Sequence, residues 1–310
     1  LVNPFFCSCS WHIATLAMFH PSCSIRHAAI LLGALALQSA SLVHGLPKSV
    51  RAKTPTEKDI PAMQLSDLDL RQDMETRDIP DVLAKFPSGP LNMFLRMISS
   101  LPAGAAALDS AGKILTPLQQ GLADSVGIDT VRDDMAQNAA CTDITVVFAR
   151  GTTEPGNIGL VTGPPFFDAL REQLESKSLA FQGVEYPATF AGFNKNGTEG
   201  VPSMTGFITQ AIADCPNTKV VMSGYSQGAL VVRSAAETLP AEIMAKINAV
   251  LTFGDPRNPA AIPGAEGKTK IICHENDAVC SGGFITIDHL TYGEDVSAAA
   301  QFVLQKASGM

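Results

Sequence analysis

From residue 141 onward the chain alternates between two kinds of apolar spacing. Short runs rich in apolar or β-branched residues stand at Cys141–Arg150, Phe181–Tyr186, Val220–Met222, Ile247–Phe253 and Lys270–Cys273. Between them the apolar positions recur every three or four residues: at Pro165–Ser176, Ser203–Ala213, the stretch from Gly228 to Leu239, and Asp295–Lys306. Runs of the first kind predict buried strands and those of the second predict helices. Strands and helices in alternation predict a parallel sheet covered on both faces. Its crossovers should be right-handed, and its working loops should gather at the C-terminal edge of the strands.

The pattern ahead of this region is different. Leu91, Phe94, Leu95 and Ile98 fall at i, i+3, i+4 and i+7 and predict a helix with one apolar face. A second apolar-rich segment runs from Ala105 to about Leu122, with a break expected at Pro117. Residues 46 to about 85 mix charges, prolines and short apolar pairs, which predicts loose or partly helical order. Residues 46–140 are therefore an N-terminal extension or a pro-segment removed after secretion, and the apolar faces favour packing on the core over a lid. The first 45 residues form a leader. From Met18 a mildly basic start precedes the apolar core Ala28–Leu37, with a cut expected after Gly45. A core of that length suits a secretory signal peptide over residues 18–45 and is too short to span a bilayer. The protein is expected outside the cell, without an integral membrane span.

Composition narrows the partners. With 22 Lys and Arg against 30 Asp and Glu the net charge is −8, and no basic run appears, so nucleic acid is not expected. Neutral or cationic ligands fit better than polyanions.

The stretch Lys219–Ser234 (KVVMSGYSQGALVVRS) carries the chemistry. Gly224-Tyr225-Ser226-Gln227-Gly228 is a G-x-S-x-G placed between a predicted strand and a predicted helix. In that context the glycines allow a sharp turn that lifts the serine hydroxyl above the sheet, at the positive end of the helix. Ser226 is thus the candidate nucleophile. Past the leader only His274 and His289 are available. His289 lies in a loop before the last helix and is the candidate base, whereas His274 follows strand residues and reads as a packed or surface imidazole. Asp277 and Asp255 both lie between the serine and the histidine, each just past a strand. Asp277 is preferred because Cys273 and Cys280 flank it, and Asp255 suits its own turn.

Cys141, Cys215, Cys273 and Cys280 are the four cysteines past the leader, and an even count in a secreted chain predicts two disulfides. Four cysteines permit three pairings. Joining Cys141 to Cys215 and Cys273 to Cys280 would tie the first strand to the central one and close a short loop around Asp277. These thiols lie outside metal-site spacing and only two histidines are available, so no metal is expected; nucleophilic attack by a serine needs no cofactor, and none is expected. The N–H of Gln227 and the N–H and hydroxyl of Thr152, in the loop after the first strand, are candidate oxyanion donors. Asn196-Gly197-Thr198 is an N-glycosylation sequon.

Taken together, FARGTTEPGNIG (148–159), GYSQGA (224–229), ENDAVC (275–280) and DHLTYG (288–293), with those four cysteines, resemble the fungal cutinase family. The resemblance covers roughly Cys141 to Lys306. It implies a three-layer α/β-hydrolase over residues 141–310, with a five-stranded, mainly parallel sheet and no large lid. It implies a serine esterase acting on cutin polyester and short-chain esters, and the protein is expected to be a monomer. Ser226, Asp277 and His289 would be the triad, Thr152 and Gln227 the oxyanion hole, and the disulfide pairing that just described. Phe190, Phe193, Phe284, Ile285 and Ile287 would flank the crevice and contact acyl chains or polymer. Asp288, beside the histidine, departs from the apolar residue or proline expected there. The alternatives are an acetylxylan-type carbohydrate esterase on the same fold and, more remotely, an inactive surface-binding homologue. A lack of Trp in the catalytic half, with only three Tyr, speaks against the sugar-stacking reading.

Overall fold

The computed structural model describes residues 79–135 and 139–308; the leader and the first part of the extension lie outside them. In chain order come helices α1 (Asp81–Ala84), α2 (Ser88–Ser99) and α3 (Ala105–Val126), then strand β1 (Ile144–Ala149) and helix α4 (Gly163–Gln173). Next are β2 (Leu179–Gly183), α5 (Phe190–Phe193), α6 (Val201–Asp214), β3 (Lys219–Tyr225), α7 (Gln227–Thr238) and α8 (Ala241–Met244). β4 (Ile247–Phe253), β5 (Thr269–Ile272) and α9 (Val296–Ala307) complete the chain. The five strands run β2-β1-β3-β4-β5, and every pairing between them is parallel.

Side-chain alternation along the strands divides the core. Ile144, Val146 and Phe148 of β1 pack with Phe166 and Leu170 of α4 and with Ala299, Ala300 and Val303 of α9. Val147 and Ala149 face the other way, against Met204 and Ile208 of α6 and Val231 and Val232 of α7. Both sheet faces are thus covered, which is why the strands read as continuous apolar runs. Helix α7 shows little polar periodicity for the same reason, since its residues 227–236 are all buried.

The strand order places a switch point between β1 and β3. From there the connections leave in opposite directions and open a crevice at the C-terminal strand ends. The loop after β1 and the turn after β3, both singled out in the sequence, border that crevice.

The extension joins the domain through a separate apolar cluster. Leu83, Phe86, Leu91, Phe94, Leu115 and Leu122 meet Leu160 and Leu290 of the catalytic half. Helix α3 does not break at Pro117 but runs through it to Val126. The proline removes one backbone bond, and Leu115 and Leu122, buried on either side of it, hold the helix across the gap. Gly127, in the left-handed conformation, caps the end through its N–H to Ala123 and Asp124 carbonyls.

Beyond it, residues 132–134 line the outer edge of β2. Gly183 N–H donates to Arg132 O at 2.8 Å, Phe181 N–H donates to the Asp134 carboxylate at 3.0 Å, and Asp133 bridges Gln182. Disulfides join Cys141 to Cys215 and Cys273 to Cys280, as the resemblance implied. Among the described residues no helix is long and apolar enough to cross a membrane. No insertion between the strands forms a large lid.

Candidate active site

Ser226 sits between the end of β3 and the first residue of α7, with φ 56° and ψ −117°. That backbone conformation is rare for a residue with a side chain and marks a strained turn. The chain holds it with two bonds: Ser226 N–H to Phe253 O at 2.9 Å, and Ala229 N–H to Ser226 O at 2.9 Å. Both flanking glycines are required by close approach. A Cβ on Gly224 would lie 2.3 Å from Gly228 O, and one on Gly228 would lie 1.9 Å from Ala149 O.

His289 lies in a short 3-10 turn, Ile287–Leu290, and is buried. Its Nδ1 hydrogen-bonds Asp277 Oδ2 at 2.7 Å. Its Nε2 makes no hydrogen bond among the described residues, and it lines the same cavity as Ser226. The Ser226 hydroxyl and Nε2 are not bonded in this conformation; such contacts commonly tighten only when substrate binds. Tyr225 stabilises the imidazole from beneath, its ring 5.1 Å from the His289 ring and its hydroxyl donating to His289 O at 2.7 Å.

Asp277 is buried and caps the turn that follows it, accepting the Val279 N–H at 3.0 Å through Oδ1. Its Oδ2 accepts from the Tyr292 hydroxyl at 2.6 Å as well as from His289. Burial opposes its ionisation, but the His289 bond, the Tyr292 hydroxyl and the Val279 N–H together hold the carboxyl below its ordinary pKa. Asp255 is placed elsewhere. Arg233 Nε reaches both of its oxygens, at 2.9 and 2.8 Å, and Thr252 and the Arg257 N–H complete its shell. Asp288 offers His274 its carbonyl, at 2.9 Å, and its carboxylate makes no bond to His289. His274 is half-buried, stacks on Tyr292 at 4.2 Å and pairs with Asp295 at 2.5 Å, in keeping with a packed imidazole.

The loop after β1 brings Thr152 against Gln227. Thr152 Oγ1 donates to Gln227 Oε1 at 3.1 Å. The amides on either side of Thr152 are engaged, Gly151 N–H by the Glu154 carboxylate at 2.6 Å and Thr153 N–H by Ala188 O at 2.7 Å. Gln227 opens α7, so its own N–H has no acceptor within the helix. Glu154 is fully buried and also accepts Leu160 and Val161 N–H at 2.9 and 2.8 Å; burial raises its pKa above the ordinary value despite those bonds. Arg150 Nε donates to Glu154 O, and the Arg150 and Tyr186 backbone carbonyls each accept from the other residue's side chain.

Of the five crevice-flanking residues, Phe190 and Ile285 line the cavity beside Ser226. Phe284 and Ile287 are exposed, at 91% and 45%, and Phe193 is not part of the lining. Phe94, Ile98 and Gln119 of the extension complete the wall, leaving about 20 Å³. That is room for one water and not for an ester. The tyrosines, Glu154 and Gln119 were not foreseen as site residues. Only Tyr225, inside the G-x-S-x-G, carried a local signal. Asn196 of the sequon is exposed.

Residues 140–307 match the Cutinase family model. A cutinase of Botryotinia fuckeliana is 49% identical over 174 residues, covering 55% of this chain and 86% of that protein. A cutinase of Hypocrea jecorina is 37% identical over 239 residues, covering 76% of this chain and 91% of the relative. The solved structure of Trichoderma reesei cutinase in complex with a C11Y4 phosphonate inhibitor superposes with a TM-score of 0.62 at 38% identity, covering 70% of this chain and 97% of that one. The chain belongs to the cutinase family and is a serine carboxylic-ester hydrolase.

Proposed function

We propose that the protein hydrolyses ester bonds of cutin polyester and of short-chain acyl esters, with Ser226, His289 and Asp277 as its triad. The observation that carries this reading is His289, fixed by Asp277 at 2.7 Å through Nδ1, with Nε2 unengaged in the cavity that Ser226 lines. Asp277 holds the imidazole in the tautomer with a proton on Nδ1, so Nε2 accepts the Ser226 proton as Oγ attacks the ester carbonyl carbon. The negative charge that develops on the carbonyl oxygen is met by Thr152 and by the Gln227 N–H. A donor of this kind contributes about 10²–10³ in rate. The C–O bond to the alcohol breaks as His289 returns the proton to the leaving oxygen. Water, deprotonated by the same imidazole, then attacks the acyl-serine, and the free acid departs. Depression of the Asp277 pKa keeps the carboxylate ionised throughout.

The extension stays with the working enzyme in this reading. A match over 76% of the chain, as with the Hypocrea jecorina protein, cannot fit inside residues 140–307 and takes in helices α1–α3. Entry of an ester requires Phe94 and Ile98 to move from the serine, and Phe190, Ile285, Phe284 and Ile287 offer apolar contact beyond it. The protein is a secreted monomer, to be checked by finding it in culture medium and by light scattering. The main test is hydrolysis of p-nitrophenyl esters from acetate to palmitate, with Ser226→Ala alongside. Activity peaking near butyrate and abolished by the substitution is expected, followed by release of acids from cutin. Activity confined to acetate would move the assignment to the carbohydrate esterases. Activity unchanged in Ser226→Ala would end the reading.

A further inference from the structure

The loop that carries Thr152 is held on one side by the catalytic domain and on the other by the extension. Thr153 adopts φ 63°, a left-handed conformation that β-branched residues seldom take without external support. Its N–H is tied to Ala188 O within the domain at 2.7 Å. Its carbonyl points to α3, where Thr116 Oγ1 donates at 2.7 Å and Gln119 Nε2 at 3.1 Å. Gln119 Nε2 also reaches Thr153 Oγ1, at 3.2 Å. Thr116 and Gln119 are three residues apart on α3 and so project from one face of it. Gln119 is only 2% exposed, an unusual placement for an amide unless its bonds matter.

We propose that Thr116 and Gln119 are positioning residues for ester hydrolysis: helix α3 of the extension fixes Thr153, and through it the oxyanion-donating hydroxyl of Thr152. This rests on the assignment of Thr152 to the oxyanion hole made above. Oxyanion donors act only when pre-aimed at the position where charge develops, so loosening their loop weakens the transition state more than the bound ester. The extension then has a part in catalysis separate from its cover over Ser226.

The test uses the full-length protein with Thr116→Val, Gln119→Leu, the pair together, Thr116→Ser and Thr152→Ala, assayed on p-nitrophenyl butyrate. The pair is expected to lower kcat by about tenfold to a hundredfold, less than outright loss of a donor, with KM within about twofold. Thr116→Ser keeps the donating hydroxyl and should retain wild-type kcat. Should Gln119→Leu fail to accumulate folded, Thr116→Val alone carries the test, with a smaller drop in kcat restored by Thr116→Ser. A paired variant with wild-type kcat, or one whose only change is in KM, overturns the proposal while a crippled Thr152→Ala leaves the oxyanion assignment standing. Alanine keeps the backbone N–H and lacks the hydroxyl, so a fully active Thr152→Ala overturns the Thr152 hydroxyl as the donor that α3 positions, and the proposal with it.

Discussion

Tyr292→Phe isolates one hydroxyl next to the Asp277 carboxylate. The ring is fully buried between Phe253, Tyr225 and His274, and phenylalanine keeps that packing. What is lost is the 2.6 Å bond to Asp277 Oδ2 and the acceptor for His274 N–H at 3.1 Å. A hydrogen bond to an ionised group contributes about 1.5–3 kcal/mol, and at about 2 kcal/mol a domain of this size loses about 4–8 °C of melting temperature. The pH dependence separates this from a packing effect. Asp277 has a folded pKa below its ordinary value, so the stability gained from its ionised form is present above about pH 4 and lost as pH falls through the folded pKa. The hydroxyl is part of that gain. Melting curves of both proteins from pH 2.5 to 8 should therefore show a gap that is constant above about pH 5 and narrows below about pH 4. A gap of the same size at every pH would refute the carboxylate argument, and so would no gap at all.

Two further variants test other parts of the molecule. His274 has its pKa raised, because the bond to Asp295, the Asp288 carbonyl and nearby Glu294 outweigh burial, which alone would lower it. Stability from this pair is present below about pH 6.5 and lost as pH rises through the raised folded value, so His274→Gln should be less stable than wild type at pH 6 and converge with it toward pH 9. Convergence toward acid pH instead would show that the pair is not an ionic one. Phe94→Ala with Ile98→Ala removes bulk from the wall over Ser226 and should speed inactivation by a bulky alkyl phosphonate about tenfold or more while costing about 3–5 kcal/mol of stability at the buried Phe94. Inactivation at the wild-type rate would mean that these side chains do not limit entry.

Much of the site was legible because its signals are local. A G-x-S-x-G between a strand and a helix fixes the position of Ser226, and its glycines are explained by contacts of 2.3 and 1.9 Å. The choice of Asp277 over Asp255 was legible only through the flanking cysteines. The contact that engages Asp255, its pairing with Arg233, joins residues 22 apart in the chain and has no local signal. Tyr292, Glu154 and Gln119 lacked any such signal, since a buried hydroxyl, carboxyl or amide is recognised by its partners and these lie in other elements. Helix α3 passed through Pro117 because tertiary packing outweighed a local propensity. An apolar stripe such as Leu91, Phe94, Leu95 and Ile98 announces that something will be covered without saying what, and here part of what it covers is the serine.

The short segment at residues 132–134 bears on solubility. An edge strand with bare N–H groups is a template for a second chain, and β2 is an edge of this sheet. Arg132 and Asp134 occupy the N–H groups of Gly183 and Phe181, so two of the docking points of that edge are already filled. The border of the family match, at residue 140, falls after them. An enzyme shortened to that border would therefore keep Ser226, Asp277 and His289 and lose the guard on its sheet, and would pair edge to edge with its own copies as its concentration rises.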